Sequence, residues 1–207
     1  MMTSTKTRAI SLGDRGALIG FCIAGVAIAA YITVFSIIRI IELARGVDVP
    51  VLVEFIGSKT PVDLPLSTGD SISVGLDSAV ITAPELPMIA IVPGIIAQIA
   101  QILTIVIVIG CLILLARSVL AGRVFSGRNT ALVATAGVTG LFGFAAVRFF
   151  DNMLANATVA RITGNGVENA VISVEPFTFV LAGFVLALIS TVFVIGDRLQ
   201  RDTDGLV

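Results

Sequence analysis

Two glutamines lie inside an apolar stretch of the chain, where side chains able to do chemistry are rare. Gln98 and Gln101 fall within residues 94–116, a stretch without a charged residue. On a helix, a spacing of three places both amides on one face. A polar side chain in a bilayer costs free energy unless it is satisfied. The pair therefore predicts either a polar cavity or ligand site, or an interhelical hydrogen bond worth about 0.6 kcal/mol.

Charged residues at helical spacing stand at the ends of the apolar stretches. The six are Arg39, Glu42, Arg45, Arg148, Asp151 and Glu175. We expect them to meet near the outer membrane interface as an ion-pair collar, with the arginine stems lying along apolar surface. A site for an ion or an anionic ligand is the alternative interpretation.

Groups for catalysis and for metal binding are scarce. The chain has no histidine and two cysteines, Cys22 and Cys111, which both lie in apolar stretches. Without histidine, the commonest general base and metal ligand are missing. We therefore predict a non-enzymatic protein with no catalytic residue, no metal site and no cofactor. The net charge of −1 also disfavours nucleic acid, which requires a concentrated basic surface.

The composition predicts that membrane-spanning helices position these residues. Of 207 residues, 57% are hydrophobic and 13% are charged, and the mean hydropathy is +1.07. Soluble domains average about 45–50% apolar and about 25% charged residues. Because roughly 20 apolar residues cross a bilayer as a helix, we predict four spans, at residues 16–42, 93–120, 129–150 and 176–197.

Lysine and arginine beside the spans predict the orientation. They concentrate in residues 1–15, in the turn at 121–128 and in residues 198–207. Because short positively charged segments stay on the cytoplasmic side, both termini and this turn are predicted to be cytoplasmic. The longer segments, 43–92 and 151–175, are then extracytoplasmic.

The two outer segments carry patterns of β-structure. Residues 71–76 alternate polar and apolar side chains, as a half-buried strand does, and VPVLVEFIG at 49–57 is rich in branched residues. Gly164-Asn165-Gly166, between two β-rich runs, predicts a hairpin. The predicted fold class is an α-helical integral membrane protein: a four-helix transmembrane bundle with a small extracytoplasmic β-rich cap formed from the two outer loops. By architecture alone, this plan resembles that of the claudin type.

The turn AGRVFSGRN, residues 121–129, lacks the lysine and the spacing of a phosphate-binding loop. Gly122 suits the left-handed position after a helix. Ser126 can cap the next helix, with Asn129 at its third position. Arg123 and Arg128 then face anionic lipid headgroups. We predict a helical hairpin at this turn.

A motif in this turn resembles that of a known family. Gly122, Phe125, Ser126 and Asn129 form the pattern G-x-x-F-S-x-x-N between two long spans. The pattern is similar to that of a bacterial four-span family, domain of unknown function 2975, over the second and third spans. The resemblance implies a bacterial inner-membrane protein and supplies no catalytic residues.

These observations predict a membrane protein that acts by binding. We expect an accessory, interaction or assembly subunit that uses its extracytoplasmic β cap. Its partners are the lipid bilayer and either further copies of itself or another membrane or envelope protein. The alternative is a subunit of a small oligomeric channel or transporter, lined by Gln98, Gln101, Arg39 and Arg148.

Overall fold

A computed structural model describes residues 12–54, 78–122, 124–164 and 176–204 of the chain. These residues form four long helices and two strands. In chain order the elements are α1 (Leu12–Arg45), β1 (Val47–Glu54), β2 (Ser78–Glu85), α2 (Met88–Leu120), α3 (Gly127–Thr163) and α4 (Pro176–Asp204).

All four helices are long and apolar enough to cross a membrane, which confirms the prediction of four long apolar helices. A helix satisfies its own backbone hydrogen bonds, as a segment in lipid must. The helices α1, α2 and α3 contain 34, 33 and 37 residues, more than the roughly 20 that a bilayer core requires. The three helices therefore continue beyond their apolar stretches, and their charged residues lie on these extensions.

The two strands pair antiparallel, with Leu52 opposite Val80 and Pro50 opposite Thr82. Side chains along β1 alternate between buried and exposed, as expected for a strand with one covered face. Among the described residues the sheet has two strands, and both belong to the first outer segment. The predicted alternation at residues 71–76 lies outside the described part of the chain.

The chain forms two compact units. One contains Met1–Val34, Ile102–Phe144 and Pro176–Val207, and the other contains Phe35–Gln101 and Ala145–Glu175. We call the second the sheet unit, because it holds both strands.

The core of the sheet unit joins the strands to three helices. Val49, Val51 and Val53 turn their side chains inward from β1 and are at most 3% exposed. They belong to one buried cluster with Leu43 of α1 and Leu154 of α3. Apolar burial of this kind stabilises a fold by about 25 cal/mol per Å². The covered face of the sheet is therefore fixed to the helices.

The hairpin predicted for residues 151–175 is wrong in its first half, because α3 continues to Thr163. Leu154, Thr158 and Val159 are buried and share one face of that helix, so the branched residues follow the helical period. Gly164 has a φ of 61°, which is typical of the residue that ends a helix. Residues 165–175 lie outside the described part, and so does any contribution of theirs to the cap.

Close packing around glycines characterises the other unit. A Cβ atom added to Gly143 would lie 1.9 Å from the Oγ1 atom of Thr104. Small residues at such points let helix backbones approach closely. The approach of α2 and α3 in this unit therefore depends on the missing side chain.

Candidate functional site

The residues that could do chemistry meet in a polar cavity within the sheet unit. The cavity has a volume of about 430 Å³, within the range of small-molecule sites. Its charged and amide lining includes Arg39, Glu42, Gln98, Gln101, Arg148 and Asp151. The glutamine pair and four members of the predicted collar thus share one site.

Helices α1, α2 and α3 present polar residues to the cavity at helical spacing. Arg39 and Glu42 of α1 are three residues apart, as are Gln98 and Gln101 of α2, so each pair lies on one face. Helix α3 contributes Arg148, Asp151 and, one residue further, Asn152. The sheet supplies a fourth wall that includes Leu52 and Val80.

Arg39 connects α1 to the sheet. Its Nη1 donates to the Oε2 atom of Glu42 at 3.0 Å, and its Nη2 donates to the carbonyl oxygen of Pro50. Proline has no backbone N–H, so Pro50 suits the free edge of a strand. The guanidinium therefore occupies the edge of β1 that β2 does not pair with.

Arg148 reaches β1 at a second point. Its Nη1 lies 3.6 Å from the Oε1 atom of Glu54. This separation is that of an ion pair without a well-formed hydrogen bond. Glu54 had not been predicted as a site residue, because its meeting with α3 depends on how the sheet packs on the helices.

The cavity carries a net negative charge. Arg39 and Arg148 face three carboxylates, because Asp151 accompanies Glu42 and Glu54 in the lining. Burial raises the pKa of the Asp151 carboxyl, although Arg148 and Arg39 partly oppose this shift, and Asp151 makes no ion pair within the described residues. Its carboxylate therefore remains available to a ligand.

Three amide side chains of the lining are also uncommitted. Gln98 and Gln101 make no hydrogen bond with any described residue. The Nδ2 atom of Asn152 is buried and has no partner there. A buried donor without a partner costs about 1–3 kcal/mol, so the cavity has unmet capacity for a polar guest. Asn152 is four residues after Arg148, and this spacing is the sequence signal that could have revealed it.

Of the two other predicted members of the collar, one does not line this cavity and the other lies outside the described residues. Arg45 is exposed and does not line the cavity. Glu175 lies outside the described residues. Within the described ranges, no group of three or more histidine, cysteine or acidic side chains could hold a metal ion.

The turn between α2 and α3 has the geometry predicted for a helical hairpin. Gly122 has a φ of 80°, and the backbone N–H of Asn129 donates to the Oγ atom of Ser126 at 3.3 Å. The Asn129 amide donates instead to the carbonyl of Val124, at 2.9 Å, so the reciprocal half of the capping box is not formed. Phe125 packs edge-to-face on Phe193 of α4, with ring centroids 5.8 Å apart.

The arginines of this turn are placed in part. Arg128 is exposed and lines a small cavity of about 280 Å³ together with Arg117. Arg123 lies outside the described residues. The turn thus presents basic side chains at its surface, as the prediction of contact with lipid headgroups requires.

Four apolar helices indicate a multi-pass membrane protein, and the sheet unit gives it a polar cavity. Comparison with known proteins adds no closer class: the chain matches no family model, no curated protein and no solved structure. The resemblances to family 2975 and to the claudin plan stay predictions.

Proposed function

We propose that the protein is a non-enzymatic accessory or interaction subunit of a bacterial inner membrane, and that its sheet binds a partner protein outside the cytoplasm. One observation carries this proposal. Leu52 and Val80, which also border the polar cavity, lie opposite each other on the face of the sheet away from Val49, Val51 and Val53, and they are 58% and 66% exposed. An exposed apolar pair on a fixed surface is typical of an interaction site.

The sheet is anchored to the helices, which favours this role. Its covered face, with Val49, Val51 and Val53, packs into the core of the sheet unit. A partner would therefore meet a surface that is already ordered, and preorganisation lowers the entropic cost of association.

The charges of the sheet favour a different protein over a second copy. The two strands contain three acidic residues, Asp48, Glu54 and Glu85, and no lysine or arginine. Two copies placed face to face would bring like charges together, which disfavours binding. The expected partner has an apolar centre and a basic rim.

The distribution of arginines supports an extracytoplasmic sheet. Helix α2 begins three residues after the end of β2, whereas Arg117 lies in its last turn and Arg128 lies at the start of α3. Short basic segments stay in the cytoplasm. A membrane-impermeant thiol reagent should therefore label a Val80→Cys protein in intact cells, and labelling only after cell disruption would contradict this orientation.

We expect a photo-crosslinking residue at position 80 to trap a partner of a different mass from the protein itself. The same residue at Met88, which is 75% exposed but lies on α2, is the matched control. Adding Leu52→Ser should lower the yield at position 80 by about tenfold, because the apolar contact is lost. Raising the salt concentration should also lower the crosslinking yield at position 80, since salt screens the charges around the apolar pair.

Equal crosslinking at positions 80 and 88 would contradict docking on the sheet. An adduct of twice the mass of the protein would show that the partner is a second copy of this chain and not a different protein.

A channel or transporter subunit is the second candidate, because Gln98, Gln101, Arg39 and Arg148 share one cavity. We would then expect the purified protein to raise the permeability of liposomes to ions or small polar solutes. Gln101→Leu should lower that flux by making the lining apolar. Permeability equal to that of protein-free liposomes would reject this candidate.

A further inference from the structure

Only some of the groups that line the polar cavity are satisfied by one another. Glu42 and Pro50 accept hydrogen bonds from Arg39, and Glu54 lies 3.6 Å from Arg148. The uncommitted members are the carboxylate of Asp151 and the amides of Gln98, Gln101 and Asn152. A ligand must match these uncommitted groups. They provide one negative charge, amide oxygens that accept hydrogen bonds and amide nitrogens that donate them.

We propose that the cavity binds a zwitterionic group in which a primary ammonium is linked to an anionic oxygen group, as in phosphoethanolamine. This inference concerns the cavity and does not rest on the docking of a partner to the sheet.

The ammonium end follows from the charge and the acceptors. Three carboxylates and two arginines line the cavity, and Asp151, the carboxylate without an ion pair among the described residues, is the local negative charge that a cationic group would neutralise. A primary ammonium has three N–H donors, and Asp151 with the amide oxygens of Gln98 and Gln101 offers three acceptors. Charge-assisted hydrogen bonds of this kind are about twice as strong as neutral ones.

A primary ammonium fits the lining better than a quaternary ammonium or a transition metal does. A quaternary ammonium is held by several aromatic faces, and the lining contains one aromatic residue, Phe35. A transition metal would need histidine, cysteine or clustered acids, and no such group of three or more occurs in the part of the chain that the structure describes.

The anionic end follows from the donors. The Nδ2 atom of Asn152 is buried without a partner among the described residues, and only an acceptor can satisfy it. Arg39 and Arg148 raise the local potential beside it, because both line the same cavity. An anionic oxygen linked to the ammonium would therefore lie on the arginine side, while the ammonium lies on Asp151.

Two sources could supply this group: the headgroup of a lipid or a free small zwitterion. The cavity volume of about 430 Å³ accepts either. Gln98 and Gln101 lie within the apolar stretch of α2, whereas the charged residues stand at the ends of the apolar stretches of α1 and α3. The cavity therefore fits the depth of a lipid headgroup. The experiment below has one arm for each source.

In the lipid arm, the purified full-length protein is equilibrated in detergent with phosphatidylethanolamine or with phosphatidylcholine of the same acyl chains, and retained lipid is counted by native mass spectrometry. The two lipids carry the same charges and differ in whether the nitrogen can donate hydrogen bonds. We expect at least about tenfold tighter retention of phosphatidylethanolamine. In the free arm, phosphoethanolamine is titrated calorimetrically into delipidated protein, and binding there identifies a soluble ligand.

The variant Asp151→Asn should reduce the preference to that of phosphatidylcholine, whereas Glu85→Gln, which removes an exposed charge of the sheet, should leave it unchanged. If Asp151→Asn does not fold, Gln98→Ala with Gln101→Ala tests the same acceptors. Equal retention of the two lipids together with no heat from phosphoethanolamine would overturn the proposal. An equal effect of Asp151→Asn and Glu85→Gln would also overturn it, because the binding would then reflect net charge alone.

Discussion

Replacing Gly143 by alanine is expected to lower the stability of the compact unit that contains Ile102–Phe144 by about 1–3 kcal/mol, the usual cost of an overpacked site. The added Cβ would lie 1.9 Å from the Oγ1 atom of Thr104 and 2.8 Å from its Cβ atom. The hydroxyl can rotate away, but the Thr104 Cβ atom is fixed to the backbone of α2. The clash can therefore be relieved only if α2 and α3 move apart. Thermal unfolding in detergent measures the loss.

Gly110→Ala is the matched control for this change. It makes the same substitution in α2, and an added Cβ there would meet nothing within 4 Å. Alanine favours a helix over glycine by about 1 kcal/mol, so this variant should be as stable as the parent or more stable. Adding Thr104→Ala to Gly143→Ala should restore part of the loss. Equal melting temperatures for Gly143→Ala and Gly110→Ala would contradict the close approach.

The second large effect is expected from Leu43→Ala in the sheet unit. Leu43 is completely buried and belongs to the cluster that holds Val51 to the helices. Removing a buried leucine side chain costs about 2–5 kcal/mol, because a cavity remains. We expect the sheet to lose its attachment before the helices unfold, which hydrogen exchange at the backbone amides of β1 and β2 would detect as faster exchange.

Leu52→Ala provides the comparison, since Leu52 is on the open face of the same strand pair and 58% exposed. Its loss should change stability by less than about 0.5 kcal/mol, as for most surface substitutions. If both variants speed exchange equally, the sheet is not held through Leu43. If neither does, the core of the sheet unit contributes no stability.

Much of this fold is predictable from the sequence, because lipid permits few backbone structures. Four long apolar runs become four helices, and the valines of β1 alternate as a strand requires. The failure at residues 152–163 arose because branched residues and Gly164-Asn165-Gly166 fit both a hairpin and the end of a helix. Packing of Leu154 and Val159 against the sheet favours the helix, and such long-range contacts are not visible in a local pattern.

The candidate site was predictable one helix at a time. A spacing of three places Arg39 with Glu42 and Arg148 with Asp151 on shared faces, and both pairs line the cavity. Six residues turn a helix by about 600°, so Arg45 lies about 120° around α1 from Arg39 and misses the cavity. The participation of Glu54 depends on the register of the strands and the packing of the sheet, which no single segment specifies.

The contact between Arg39 and the carbonyl oxygen of Pro50 bears on which edge of the sheet can accept a further strand. One border of β1 carries a proline without an N–H and is covered by a guanidinium, so a further strand has little to pair with there. Within the described chain, the outer border of β2, Ser78–Glu85, has no neighbouring strand. We therefore expect a strand supplied by another protein to pair more readily beside β2 than beside β1.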